Sequence, residues 1–157
     1  MVQIAIKDLS IEYKKPNSNE RFMAVEAVTY NIEKGAFVTI VGASGCGKSS
    51  LLMALAGLIP LARGSVSIDG KVVDGPGPDR AVVFQDASLL PWRSVLGNVR
   101  FGLEMHRYSG ADLTERAMHY IGKVGLTKFA DYHPHQLSGG MRQRVNIARA
   151  LGSIALG

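Results

Sequence analysis

Cysteine is almost missing from this chain. Cys46 is the only one, so no internal disulfide can form, and a reducing cytosol fits that count. Long apolar runs are missing too. The longest unbroken one is Leu51 to Ala56, far short of the roughly 20 residues that cross a bilayer. The first ten residues place no basic flank ahead of an apolar run, so no secretory signal is expected. Lysine and arginine never gather into a run with interleaved aromatics, which argues against nucleic acid as a partner. Internal repeats and low-complexity tracts are lacking. Acids stop early: no Asp or Glu follows Asp131.

What is present describes an ordinary globular chain. It has 157 residues, 46% hydrophobic and 20% charged, enough for one domain with a core. The net charge of +5 is lopsided. Residues 1–78 hold 8 basic and 7 acidic side chains, and residues 79–157 hold 10 and 6. Glycine is abundant, with 18 copies, and its placement carries most of the information.

The first half reads as strands. Val2 to Leu9 alternates apolar and polar residues, Lys14 to Arg21 is a polar turn, and Ala24 to Ile32 is a second strand. Ala36 to Val41 is a short apolar run, expected as a strand buried on both faces. A helix is expected from Lys48 to Gly57. Ser65 to Ile68 and Lys71 to Val73 flank Asp69-Gly70 as a hairpin, and Ala81 to Phe84 is another apolar strand. From Ser94 the period changes to helical. Val95, Leu96, Val99 and Leu103 form one stripe; Leu113, Ala117, Tyr120, Ile121 and Val124 form the next, with Gly125 as its C-terminal cap. A last helix opens at Ser138 and runs through Met141, Val145, Ala148 and Leu151.

Gly42-Ala43-Ser44-Gly45-Cys46-Gly47-Lys48-Ser49 fits the pattern of a phosphate loop, with an apolar run before it and a helix after it. Its glycines let successive N–H groups turn towards one anion, and the helix N-terminus adds about half a positive charge. Lys48 can reach the β and γ phosphates, and the Ser49 hydroxyl is a hard oxygen ligand for Mg²⁺. Cys46 reads as a small residue that the loop tolerates. Leu137-Ser138-Gly139-Gly140-Met141 forms a second glycine-rich approach to a helix, with Ser138 as N-cap. Alone, it fits simple capping as well as anion binding.

Together these segments resemble the ATP-binding-cassette (ABC) ATPases. The stretch from Leu137 to Leu151 looks like that family's signature sequence and helix, and Val83-Phe84-Gln85 looks like its glutamine loop. Tyr13 stands where the family has an aromatic that stacks on adenine. Residues 74–85, with Leu89-Leu90-Pro91-Trp92, look like the nitrate, sulfonate and taurine importer branch. The resemblance implies an α/β fold: a P-loop ABC-type nucleotide-binding domain with a β-rich N-terminal part, a RecA-like core and a helical subdomain. The expected division is about 1–85, 86–136 and 137–151.

It also implies a site shared between two copies. Tyr13, Gly42, Ser44, Gly45, Cys46, Gly47, Lys48, Ser49, Ser50 and Gln85 would hold ATP, with Ser49 and Gln85 on Mg²⁺. Ser138, Gly139, Gly140 and Met141 would close over the nucleotide of the partner copy. Implied partners are a second nucleotide-binding subunit, transmembrane permease subunits near Pro91 and Trp92, and indirectly an extracytoplasmic binding protein. The implied location is the cytoplasmic face of the membrane.

Hydrolysis in this family also needs an Asp and a Glu at the end of a strand after the signature helix, and a later histidine. Residues 132–157 contain no acid. Asp69 falls in a hairpin turn and Asp74 precedes a Gly-Pro break, so neither is expected to substitute. The fold is therefore expected to be incomplete at its C-terminal end, with weak or absent turnover. His133 and His135 lack cysteine or carboxylate partners, which argues against a metal site there. A soluble ABC-type ATPase and an inert truncated product are the competing readings.

Overall fold

The structure, a computed structural model, describes residues 2–104 and 111–154. It divides into two compact units, Met1–Gly77 and Pro78–Gly157.

The first unit is built on an antiparallel sheet. Strand β1 (Val2–Lys14) and β2 (Arg21–Glu33) form a long hairpin that closes with Lys14 opposite Arg21. On the other side of β1 lies β3 (Arg63–Ile68), followed by the short β4 (Lys71–Val72), giving the order β2-β1-β3-β4. The turn between β3 and β4 has positive φ at both Asp69 and Gly70, 47° and 79°. A two-residue hairpin needs that backbone, and Asp-Gly adopts it readily.

The β1–β2 ladder is interrupted by register shifts, and Asp8 and Ala27 take positive φ of 48° and 51°. Side chains satisfy the displaced amides. The Asp8 N–H donates to Thr29 Oγ1 at 2.9 Å, and the Ala27 N–H donates to the buried Ser10 hydroxyl at 3.0 Å. The core of this unit joins Ile6, Leu9 and Ile11 of β1 to Val66 of β3 and Ala54 of helix α1 (Lys48–Leu55). Helix α1 stops where the Gly57 N–H bonds the Ala54 carbonyl and the Leu58 N–H bonds that of Met53. Gly57 has φ of 75°, a left-handed ending that glycine supplies at least cost.

Two expected strands do not form. Ala36 to Val41 has no regular structure, with Phe37 95% and Val41 88% exposed. Ala81 to Phe84 is also irregular. An apolar run becomes a strand only when a neighbour supplies a ladder of N–H and C=O groups. Among the described residues neither run has such a neighbour.

The second unit is helical. Helices α2 (Val95–Glu104), α3 (Ala111–Lys123) and α4 (Gly139–Ile154) pack on one another. Their facing stripes are Val95, Val99 and Leu103; Leu113, Ala117 and Ile121; and Val145 and Ala148. All follow the expected helical period. Gly125 has φ of 73°, and the Leu126 N–H reaches back to the Ile121 carbonyl, closing α3 as expected. Between α3 and α4 lie two single 3₁₀ turns, Thr127–Phe129 and Pro134–Gln136.

Candidate functional site

In the first unit the loop after the irregular 36–41 segment turns into α1 through glycine. Gly45 and Gly47 have φ of 78° and 92°, a region that other residues enter at a cost. Gly47 is the N-cap of α1, and its carbonyl accepts the first intrahelical bond from Leu51 at 2.9 Å. A Cβ at Gly47 would stand 2.5 Å from the Ala24 carbonyl oxygen, and one at Gly42 would stand 2.7 Å from Cys46 Sγ. Space and backbone angle therefore both require glycine at position 47, while Gly45 is required by its angle alone and Gly42 lies close to the Cys46 side chain.

Lys48 folds back over the loop that precedes it. Its ammonium donates to the carbonyls of Gly42 at 2.8 Å and Ala43 at 2.6 Å, with Cys46 Sγ at 3.5 Å. Ser44 and Ser49 are exposed. Tyr13, expected near a base, is tied to this loop from the sheet: its hydroxyl bonds Ser50 Oγ at 3.1 Å. Its ring lies 5.8 Å from that of Phe22, the residue opposite it on β2. The structure thus gathers Tyr13 and residues 42–50 into one unit. Neither the Tyr13–Ser50 bond nor the Phe22 neighbour was visible in the spacing of motifs.

In the second unit Gln85 and the approach to α4 share one cleft. It measures about 420 Å³ and is lined by Gln85, Asp86, Ala87, Ser88, Gly139, Arg142 and Gln143. Ser138 caps α4 as expected, its hydroxyl accepting the Met141 N–H at 3.3 Å. Gly139 and Gly140 follow with no Cβ to fill the mouth of the helix, and Met141 packs against the helical core. Trp92 is 71% exposed. Its loop is held by Asn98, whose buried amide accepts from the Leu90 N–H and donates to the carbonyls of Leu90, Arg93 and Ser94.

His133 and His135 stack at 5.9 Å, and among the described residues no group of three His, Cys, Asp or Glu is placed to hold a metal. No helix among them is long and apolar enough to cross a membrane.

A glycine-turned anion loop at the start of a helix, beside a four-stranded antiparallel sheet, and a serine-capped glycine pair at the start of another helix define a class. The ABC transporter family model matches residues 25–154, and the chain belongs to that family. The fold agrees. A solved structure, the dimeric post-hydrolysis state of the ATP-binding cassette MJ0796 bound to ADP and Pi, superposes with a TM-score of 0.85. It is 34% identical and is matched over 96% of this chain and 69% of that one.

Within the family the chain is close to taurine and nitrate import ATPases. It is 50% identical over 130 residues to the taurine import ATP-binding protein TauB of Rhizobium johnstonii, covering 83% of this chain and 50% of that protein. It is 47% identical over 129 residues to the nitrate import ATP-binding protein NrtD of Synechocystis sp., covering 82% and 48%. The chain thus spans about half the length of these curated relatives.

Proposed function

We propose that this chain carries the ATP-binding half-sites of an ABC importer subunit of the taurine, nitrate or sulfonate kind. The observation that carries the reading is the loop 42–49. Its left-handed glycines at 45 and 47 lead straight into the N-terminus of α1, the kind of backbone that an anion cradle uses.

The roles follow from chemistry. Gly42, Ser44, Gly45, Cys46 and Gly47 supply the backbone of the anion cradle. Lys48 exchanges its two loop carbonyls for phosphate oxygens, a stronger charge-assisted bond. Tyr13 offers a ring to the base, and its bond to Ser50 fixes that ring relative to the phosphate loop. Ser49 and Gln85 carry neutral oxygens, the donor type that Mg²⁺ takes beside phosphate. Magnesium, when bound, offsets the charge that the phosphate oxygens develop. Ser138, Gly139, Gly140 and Met141 form the cap offered to the nucleotide of a second copy, in keeping with the dimeric solved cassette.

The same reading places the protein on the cytoplasmic face of a membrane, beneath permease subunits served by an extracytoplasmic binding protein. Pro91 and Trp92 lie in the exposed stretch that would meet the permease. Residues 132–157 offer no carboxylate for the attacking water, so hydrolysis by these residues alone is expected at or near background.

The experiment is affinity capture of the tagged chain from detergent-solubilised membranes of its source. Recovery of a pair of membrane-spanning subunits is expected. Capture of ribosomal or DNA-bound proteins in their place would assign the chain to a soluble ATPase.

A further inference from the structure

Phe22 stands where folding alone gives it little to do. It is 46% exposed at the turn end of the β1–β2 hairpin, directly opposite Tyr13 in the ladder. Its ring lies 5.8 Å from the Tyr13 ring with the planes 34° apart, an offset aromatic pair. The two rings are anchored unequally. Tyr13 is half-buried, packs on the core of its unit and bonds Ser50 in the first turn of α1 at 3.1 Å through its hydroxyl. Phe22 extends the pair into solvent.

Strand alternation puts the charged neighbours elsewhere. Glu12 and Arg21 flank the pair in sequence and so belong to the other face of the sheet. There Arg21 Nη1 donates to Glu12 Oε2 at 3.0 Å. Further into the turn Lys15 Nζ donates to Glu20 Oε2 at 2.7 Å. These charges are engaged with one another, and the side of the sheet that meets α1 presents two aromatic rings at this point. With phosphates held at the N-terminus of α1, a base laid on Tyr13 meets Phe22 beside it.

We infer that Phe22 is the second half of the base platform: with Tyr13 it forms a two-ring surface fitted to the fused rings of a purine, guanine as well as adenine. A purine covers both side chains, whereas the single ring of a pyrimidine covers one. Stacking reads the π-face common to every base, not the edge by which adenine and guanine differ. The inference rests on the proposed nucleotide role of residues 42–49, and it names the class of ligand that site takes: purine nucleoside triphosphates.

The test is calorimetric titration of the 157-residue chain, with Mg²⁺ present, by ATP, GTP, UTP and tripolyphosphate, which carries the phosphates without a base. ATP and GTP should bind within about threefold of each other, and both about fivefold or more tighter than UTP, the lower end of one base–aromatic stack. Phe22→Ala should weaken ATP and GTP by about fivefold or more, UTP by less than about twofold, and tripolyphosphate not at all. Phe22→Leu keeps apolar bulk against Tyr13 without a π-face, and its purine affinities should fall with those of Phe22→Ala. Phe22→Trp should keep the purine preference. Lys48→Ala should weaken every one of these ligands.

Parent-like ATP affinity in Phe22→Leu overturns the inference, since it makes Phe22 a packing support for Tyr13. So does an equal loss of UTP and ATP in Phe22→Ala. A preference for ATP over GTP of more than about tenfold in the parent chain also overturns it, because the base edge is then being read. If Phe22→Ala does not fold, Phe22→Leu and Phe22→Trp are read by the same criteria. The base-free ligand separates the two ideas. Tripolyphosphate binding that Lys48→Ala weakens, with ATP affinity indifferent to Phe22, removes the base platform and leaves the phosphate loop. A parent chain that binds neither ATP nor tripolyphosphate removes both.

Discussion

Gly47 shows how a single position combines two constraints. Its φ of 92° penalises any side chain, and a Cβ there would press on the Ala24 carbonyl oxygen at 2.5 Å. Holding an ordinary residue in that backbone region costs about 1–3 kcal/mol, and the contact with Ala24 adds to it. Gly47→Ala should therefore lower the melting temperature and weaken ATP binding together, measured by calorimetry and nucleotide titration on the same sample. Unchanged stability in Gly47→Ala would mean that the loop does not hold this shape. At this scale the sequence was most legible. The spacing of Gly42, Gly47, Lys48 and Ser49 marks a loop, and Ser138 caps α4 through the Met141 N–H as its position implies. The partners of those residues were not legible. Nothing in the motif pairs Tyr13 with Ser50, because that bond depends on how β1 passes α1.

Whole elements were legible where their own period suffices. Each of the three helices of the second unit follows an apolar stripe that needs only its own sequence to be seen, and the β1–β2 hairpin is marked by its polar turn. Gln143, Asn146 and Arg149 of α4, whose side chains donate to the Phe84 and Ser88 carbonyls, were overlooked although their helical spacing is a readable signal. A polar stripe at i, i+3 and i+6 beside Val145 and Ala148 marks a face that meets backbone rather than water. The runs at 36–41 and 81–84 were misread for a different reason. Apolar composition states a preference for burial, but strand formation is a property of a pair, and among the described residues neither run has a second member. Helix packing supplies a prediction with opposite signs at two glycines. A Cβ at Gly102 of α2 would lie 2.9 Å from the Arg149 carbonyl oxygen, so Gly102→Ala must push α2 from α4, a strain of about 1–3 kcal/mol. A Cβ at Gly122 of α3 meets only Thr127 Oγ1, at an ordinary 3.7 Å. There the helix-favouring gain of about 0.5–1 kcal/mol stands unopposed. Urea unfolding followed by circular dichroism should move the midpoint down for Gly102→Ala and up for Gly122→Ala. Equal effects would show that α2 and α4 do not approach so closely.

For the molecule as a whole, the two units differ in how they bury apolar surface. The helical unit encloses its stripes, with Val99, Leu103, Ala117, Ile121, Val145 and Ala148 fully buried. The first unit leaves Phe37 and Val41 in water just before the phosphate loop. Exposed aromatic and branched side chains in one short segment favour association. The 157-residue chain should bind a dye for apolar surface, and Phe37→Ser with Val41→Thr should reduce that signal without lowering helical content. A chain that binds no dye would mean that the 36–41 segment is covered. The central claim is that residues 42–49 hold the phosphates of ATP, and the most direct measurement is calorimetric titration of Mg-ATP into the chain and its Lys48→Ala variant. The account predicts binding to the parent chain and a clear loss of affinity in the variant, because the ammonium that now bonds Gly42 and Ala43 is the one that would meet the phosphates. Equal affinity in the two proteins would contradict it.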